Sequence, residues 1–444
     1  IRGYNRDDVI STLRLHDWLE RLRDELAAET CVAVPRPEPE SGEAPDKVRE
    51  RDAAVAALVE RLTGDLPAGG NAWTDDQRAR WKIAQLLEFH RREMKSTWWE
   101  FYRCMGLNDD ELIEDTATLG GLEYVGPVGT VKRSTLHQYR FPSQDHPFRA
   151  GSSAVDPVTD SAAGEIVDVD DDAHTITLKR GNGSEVPHPR ALIEKDVVGD
   201  GVLRDSVMRS AESIATHGLD ATPLRSSADL LLRNRPRVGQ PDGANLMAPG
   251  ETTVEAAVRL GFALRQTVLP IQGPPGAGKT YTAARIIVHL LHAGKCVGIT
   301  APSHKVISNL LEEVCRAGAE LGGTITGVQK AGEEQRCTAP QIRALGDNKD
   351  VDAAIASGAR LIAGTAWLWS REEIAGKVDV LVVDEAGQFS LANAIAVAPA
   401  AESLVLVGDP QQLEQPSKGT HPPGVKISAL DHLLGGVPTV PADR

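Results

Sequence analysis

The chain has 444 residues, of which 41% are apolar and 25% charged, and its formal net charge is −15. That length holds two to four domains, and the composition is that of a globular protein, which excludes a disordered or collagen-like chain. No apolar run approaches a membrane span, and five scattered cysteines (Cys31, Cys104, Cys296, Cys315, Cys337) without a C-x-x-C pair argue against a disulfide framework, a zinc site or an iron–sulfur cluster and suit a reducing, cytoplasmic setting.

Residues 1–30 predict one amphipathic helix, because Val9, Leu13, Leu15, Trp18, Leu19, Leu22 and Leu26 recur at helical spacing. Residues 31–49 are a Pro/Glu linker, too polar to bury a core. Residues 50–118 read as helices. One of them sets Arg91, Arg92 and Lys95 beside Trp98, Trp99, Phe101 and Tyr102. Packing of these aromatics into a neighbouring domain is preferred over a base-stacking patch. Residues 119–198 switch to short alternating strands separated by Gly and Asp clusters, the pattern of a small β-barrel. Residues 199–250 are a helical connector. From 251 onward strands and helices alternate, with 318–358 expected as a helical insertion lacking strong strands.

The stretch Gly273-Pro274-Pro275-Gly276-Ala277-Gly278-Lys279-Thr280 is a complete phosphate-binding loop. The apolar run 268–271 leads in as a strand, and a helical pattern from Tyr281 leads out. Glycines let backbone N–H groups wrap phosphate oxygens, and the helix N-terminus adds partial positive charge. Lys279 reaches the β- and γ-phosphates of a nucleotide, and the Thr280 hydroxyl holds Mg²⁺. A buried apolar strand, 380–383, ends in Asp384-Glu385. Asp384 is the second Mg²⁺ residue, acting through water, and Glu385 is the general base for the attacking water. A further strand, 404–407, runs into Gly408-Asp409-Pro410-Gln411-Gln412-Leu413. A Gln at such a strand end can sense the γ-phosphate.

In this order GPPGAGKT, TAPSHK (300–305), GTA (364–366), VVDEAGQ (382–388) and GDPQQL resemble motifs I, Ia, Ic, II and III of superfamily-1 helicases. The DEAGQ form and the GPPG loop look most like the branch of the nonsense-decay helicase and the DNA-end-processing helicase–nucleases. The resemblance implies an α/β fold, with a RecA-like P-loop NTPase domain built on a parallel sheet over 251–444, preceded by the helical stalk and small barrel. It implies ATP and Mg²⁺ as cofactors, with Lys279, Glu385 and Gln412 catalytic. Tyr281, Gln388 and Asp409 join the phosphate loop in holding nucleotide. Thr300, Ser303, His304, Lys305 and Thr365 would lie along the backbone of single-stranded DNA or RNA. Tyr4 and Asp8 resemble the last motif of DEDD-type exonucleases, which makes 1–30 the tail of an RNase H-like nuclease domain and the chain part of a bacterial nuclease–helicase fusion. The cap reading, in which an Asp opens a helix, stands beside it.

The pattern also departs from the family. Residues 251–258 lack the Gln that reads adenine. The chain stops after motif III, so a fragment is expected, lacking the second RecA-like domain. Its arginine finger can supply roughly 10³- to 10⁵-fold in rate, and weak hydrolysis is expected without it. Two other readings remain: a P-loop ATPase acting on a protein partner, which the −15 charge favours, and a non-catalytic ATP-binding fragment.

Overall fold

The computed structural model of the chain describes residues 2–30, 32, 46–70, 72–181, 186–194, 199–241, 243–412 and 416–443, with the backbone alone over 2–8. It separates into two units, 1–54 and 55–444. The first holds helix α1 (Arg2–Thr30) and the start of α2 (Asp46–Thr63). The apolar stripe predicted for α1 is present and exposed, from Val9 at 68% to Leu22 at 40%.

The second unit opens with α3 (Asp75–Leu86), α4 (Phe89–Met105) and α5 (Asp109–Glu114). Thr74 and Asn108 each close a capping box on the following helix, which satisfies the N–H groups a helix start leaves free. α3 buries Ile83 and Leu86, while α4 buries Phe89, His90, Phe101 and Cys104. The packing expected of the α4 aromatics is met by Phe101 alone. Trp99 is 67% and Tyr102 63% exposed, with the Lys95 ammonium 4.8 Å over the Trp99 ring.

Seven strands then form one antiparallel sheet, consistent with a small barrel: β1 (Thr118–Leu119), β2 (Glu123–Val131), β3 (Ser134–Arg140), β4 (Ser153–Asp156), β5 (Ser161–Asp170), β6 (Thr175–Gly181) and β7 (Leu192–Glu194). Their order is β1-β7-β4-β5-β6-β3-β2. Alternation puts Tyr139, Ile166, Ile176, Leu178 and Leu192 in its core. α6 (Gly201–His217) and α7 (Arg225–Leu232) lead on, and α6 buries Leu203, Val207 and Ile214.

The remainder is a parallel sheet of seven strands flanked by helices. After α8 (Thr253–Ala263) come β8 (Val268–Gln272), α9 (Lys279–His292), β9 (Val297–Thr300) and α10 (His304–Glu320). β10 (Gly327–Lys330), β11 (Ile342–Leu345), α11 (Asn348–Ala356), β12 (Leu361–Ala363) and α12 (Ala366–Trp369) follow. β13 (Val378–Val383), α13 (Leu391–Val397), β14 (Ala401–Gly408) and α14 (Ala429–Leu434) complete it. The order is β11-β10-β12-β9-β13-β14-β8. The central strands are apolar over Val380–Val383 and Leu404–Val407, where helices cover both faces. The helical insertion expected at 318–358 is corrected here. β10 and β11 fall inside it and extend the sheet by parallel pairing of Gly327–Lys330 with Ile342–Leu345.

Candidate functional site

The phosphate loop joins β8 to α9. β8 pairs with β14, with Gln272 opposite Gly408, and the Gly273 N–H donates to the Gly408 carbonyl at 3.1 Å. Gly276 and Gly278 hold φ near +80°, a region that side chains resist, and Gly278 starts α9. Residues 274–278 are exposed, so the curled loop is open to solvent. The Lys279 ammonium folds back onto the loop, donating to the Gly273 and Pro274 carbonyls at 2.9 and 3.2 Å. Thr280 is half-buried one residue on. Tyr281 is 46% exposed, and the Arg285 guanidinium lies over its ring.

β13, between β9 and β14, delivers the two carboxylates. Asp384 is 3% exposed, donates its N–H to the Thr300 carbonyl, and accepts from the Glu385 N–H at 2.9 Å. Burial pushes its carboxyl up to about 6, and the neighbouring Glu385 adds to the rise, while the Glu385 N–H and Lys279 oppose it. Glu385 sits at φ +52°, a left-handed conformation that costs a non-glycine residue about 1–3 kcal/mol. Its Oε2 is buried without a partner.

The turn after β13 and the end of β14 touch through glycine. A Cβ on Gly387 would overlap the Asp409 carbonyl oxygen, and one on Gly408 would lie 2.7 Å from the Gly387 nitrogen. The Ala386 N–H donates to the Val407 carbonyl. Above this crossing the Gln388 side-chain amide donates to the Gln412 side-chain oxygen at 3.1 Å. Asp409 is buried and accepts from the Gln411 N–H. Motifs 273–280, 384–388 and 409–412, far apart in sequence, thus meet at the C-terminal edge of one parallel sheet, where such sheets bind ligands. Leu413 lies outside the described residues, as do the side chains of Tyr4 and Asp8.

The residues expected along a nucleic-acid backbone divide. His304 and Thr365 line one groove of about 750 Å³, with Lys330, Arg209, Arg371 and Trp367. Burial lowers the basicity of His304, and its Nδ1 has no partner. Lys305 is exposed outside the lining. Ser303 caps α10, its hydroxyl accepting from the Val306 N–H. Thr300 needs correction: it is fully buried at the end of β9, inside the sheet, and offers no surface to a strand. Sequence reasoning missed Lys330 and Arg209, which reach the groove from the C-terminal end of β10 and from α6. It also missed a carboxylate clamp. Glu93 of α4 accepts from the Ser417 hydroxyl at 2.6 Å, the Lys418 and Gly419 N–H groups at 2.9 and 3.2 Å, and the His421 ring. Those bonds hold its carboxyl below the ordinary range against the opposing effect of burial. The clamp ties the segment beyond motif III to α4, where Phe89 stacks on His421 at 4.4 Å.

Comparison with known proteins agrees with this geometry. A family model described as an AAA domain matches residues 255–422. The DNA replication ATP-dependent helicase/nuclease DNA2 of Xenopus laevis is 25% identical over 339 residues, which cover 69% of this chain and 31% of that protein. The RecBCD enzyme subunit RecD of Mycobacterium tuberculosis (strain ATCC 25618 / H37Rv) is 32% identical over 205 residues, 43% of this chain and 32% of that protein. The chain therefore spans about a third of the length of these curated relatives. The crystal structure of Arterivirus nonstructural protein 10 (helicase) matches with a TM-score of 0.28 at 13% identity, covering 71% of this chain and 52% of that one, a likeness too loose to carry weight. With the three motifs joined at one sheet edge, residues 255–422 make a RecA-like P-loop domain, similar in sequence to the helicases named above.

Proposed function

We propose that this chain binds and hydrolyses ATP in step with its grip on a single strand of DNA or RNA, within a nuclease–helicase fusion of the nonsense-decay and end-processing branch. The observation that carries the coupling is the Gln388–Gln412 bond, which links the strand ends behind Asp384 and Asp409. A phosphate-sensing side chain there is bonded to the element carrying the catalytic carboxylates. The helicase/nuclease name of the Xenopus laevis relative motivates the fusion, with Tyr4 and Asp8 as its vestigial nuclease residues.

The residues present fit Mg²⁺. A buried Asp384 carboxyl held near 6 and an unpartnered Glu385 oxygen form an anionic pocket in which, among the described residues, Lys279 is the cation acting on Asp384. Thr280 and Asp384 would hold the ion, which neutralises phosphate charge when bound. Lys279 exchanges the Gly273 and Pro274 carbonyls for the β- and γ-phosphates. The Pro275, Gly276, Ala277 and Gly278 backbone, open to solvent, wraps the phosphate chain. Glu385 orients the attacking water and takes its proton. Gln388, Gln412 and Asp409 respond to the γ-phosphate, and Tyr281 borders the nucleotide. His304 and Thr365 contact the strand directly, with Ser303 and Lys305 beside them.

The test is ATP turnover with and without single-stranded DNA and RNA, with Lys279→Ala as control. Strand-stimulated turnover that Lys279→Ala lowers by roughly 10²-fold or more supports the reading. Turnover that ignores both strands sinks it and favours action on a protein partner.

A further inference from the structure

Trp367 follows directly on Ala366 and has no part in the nucleotide site. It borders two cavities. One is the groove of about 750 Å³ with His304, Lys330 and Thr365. The other, of about 300 Å³, lies between α4, α6 and the segments around 388–393, 416–418 and 426–428, and is lined by Phe89, His90, Gln388, Lys418 and Lys426. The indole is 38% exposed, yet its Nε1 donates to the Gly199 carbonyl at 2.9 Å. The edge of the ring is thus fixed while part of its surface stays open. A large, anchored, solvent-facing aromatic between two grooves is what base stacking requires.

The smaller cavity has the chemistry of a base site. Its apolar wall includes Phe89, Leu203 and Ile427. His90 gives its Nε2 to the Asn393 side-chain oxygen at 2.8 Å, and burial holds the ring neutral, so Nδ1 is an acceptor. That Nδ1 and Asp200 Oδ2 are both buried without partners. Buried acceptors of this kind are costly unless a donor, such as the amino group of a base, arrives. Lys418 and Lys426 are exposed and have no carboxylate partner among the described residues, which suits phosphates outside.

We infer that Trp367 is a base-stacking residue, over which a single strand passes from the His304–Thr365 groove to the cavity beside His90. This rests on the nucleic-acid reading above and names where the bases, rather than the phosphates, are held.

The experiment titrates the full chain, Trp367→Ala and Trp367→Phe with a labelled oligothymidylate and with an abasic strand of equal length, at one salt concentration. Loss of one stacked base weakens binding of Trp367→Ala to oligothymidylate roughly 5- to 150-fold. Trp367→Phe, which keeps a ring without the N–H, stays close to wild type. On the abasic strand all three bind alike. Equal affinity of wild type and Trp367→Ala for oligothymidylate overturns the inference. So does a Phe variant as weak as Ala, because the residue is then a latch on Gly199. Should Trp367→Ala fail to fold by circular dichroism, the remaining comparison still decides. Wild type and Trp367→Phe that both prefer the strand with bases support stacking, and no preference in either overturns it. A wild-type chain that binds neither strand sinks the nucleic-acid reading itself, a distinct failure.

Discussion

At the end of β13 two adjacent carboxylates stand in unequal settings. The Asp384 carboxyl titrates near 3.8 in an unfolded chain and about 6 in the folded one. Between those values folding takes up a proton, so stability falls as pH rises, and at neutral pH the whole cost, about 3 kcal/mol, is present. Asp384→Asn is therefore expected to raise the thermal midpoint of the ligand-free protein at pH 7 and to leave it unchanged near pH 4, while abolishing Mg²⁺-dependent nucleotide binding. Melting curves at the two pH values check this, and a lowered midpoint at pH 7 would refute the burial account. The place of this pair was legible in the sequence, because an apolar run ending in Asp-Glu reads as a buried strand delivering both carboxylates to its C-terminal end. The φ of +52° at Glu385 was not, since nothing in a glutamate signals a left-handed turn imposed by the tight crossing behind it. Thr300 misled for a related reason: a threonine ending a strand reads as exposed until its pairing with Val383 of β13, in the middle of the sheet, is known.

At the scale of elements, length decided what could be read. β8, β13 and β14 announce themselves as apolar runs. β10 and β11 are four residues each, and Gly-Val-Gln-Lys or Ile-Arg-Ala-Leu shows no period on its own. Their partners make them strands, through a register that only the assembled sheet supplies. The Glu93 clamp was equally hidden, because its donors lie more than three hundred positions downstream. Glu93→Ala should leave the Lys418 and Gly419 amides unpaired, lowering stability by on the order of 2 kcal/mol. Hydrogen exchange checks the location of the effect: faster exchange confined to 417–421 and the first turns of α4 is expected. Uniformly faster exchange would mean that the clamp serves the whole fold instead.

For the molecule as a whole, two buried histidines are expected to weaken the fold in acid. His432 of α14 is buried against the Leu231 carbonyl, and burial drives its basicity down to about 3. An unfolded histidine binds its proton near 6.5, so stability from this group is complete above that value and is lost as pH falls toward 3. Buried His90 acts in the same direction. Their effect opposes that of Asp384 over the shared range and spans a wider one. The unfolding midpoint should decline below about pH 6.5, and His432→Gln should flatten that decline; a midpoint unchanged between pH 7 and 5 would count against it. The order of stalk helices, antiparallel sheet and parallel sheet could be anticipated from shifts in periodicity along the chain. The exposed Trp99 and Tyr102 could not, because hydropathy alone assigns large aromatics to an interior. The glycine crossing behind the nucleotide site also has a mechanical meaning at this scale. Gly387 and Gly408 leave no clearance between the two backbones, so neither strand end can slide past the other. Gly387→Ala should accordingly distort both ends together, weakening nucleotide binding and stability in one step, as calorimetry with an ATP analogue would show. A close backbone contact of this kind constrains how the proposed nucleotide site could move. On the proposed reading, side chains such as Gln388 and Gln412 would swap partners, or the joined strand ends would swing as one lever, with no slack between the arm proposed to touch phosphate and the arm proposed to report it.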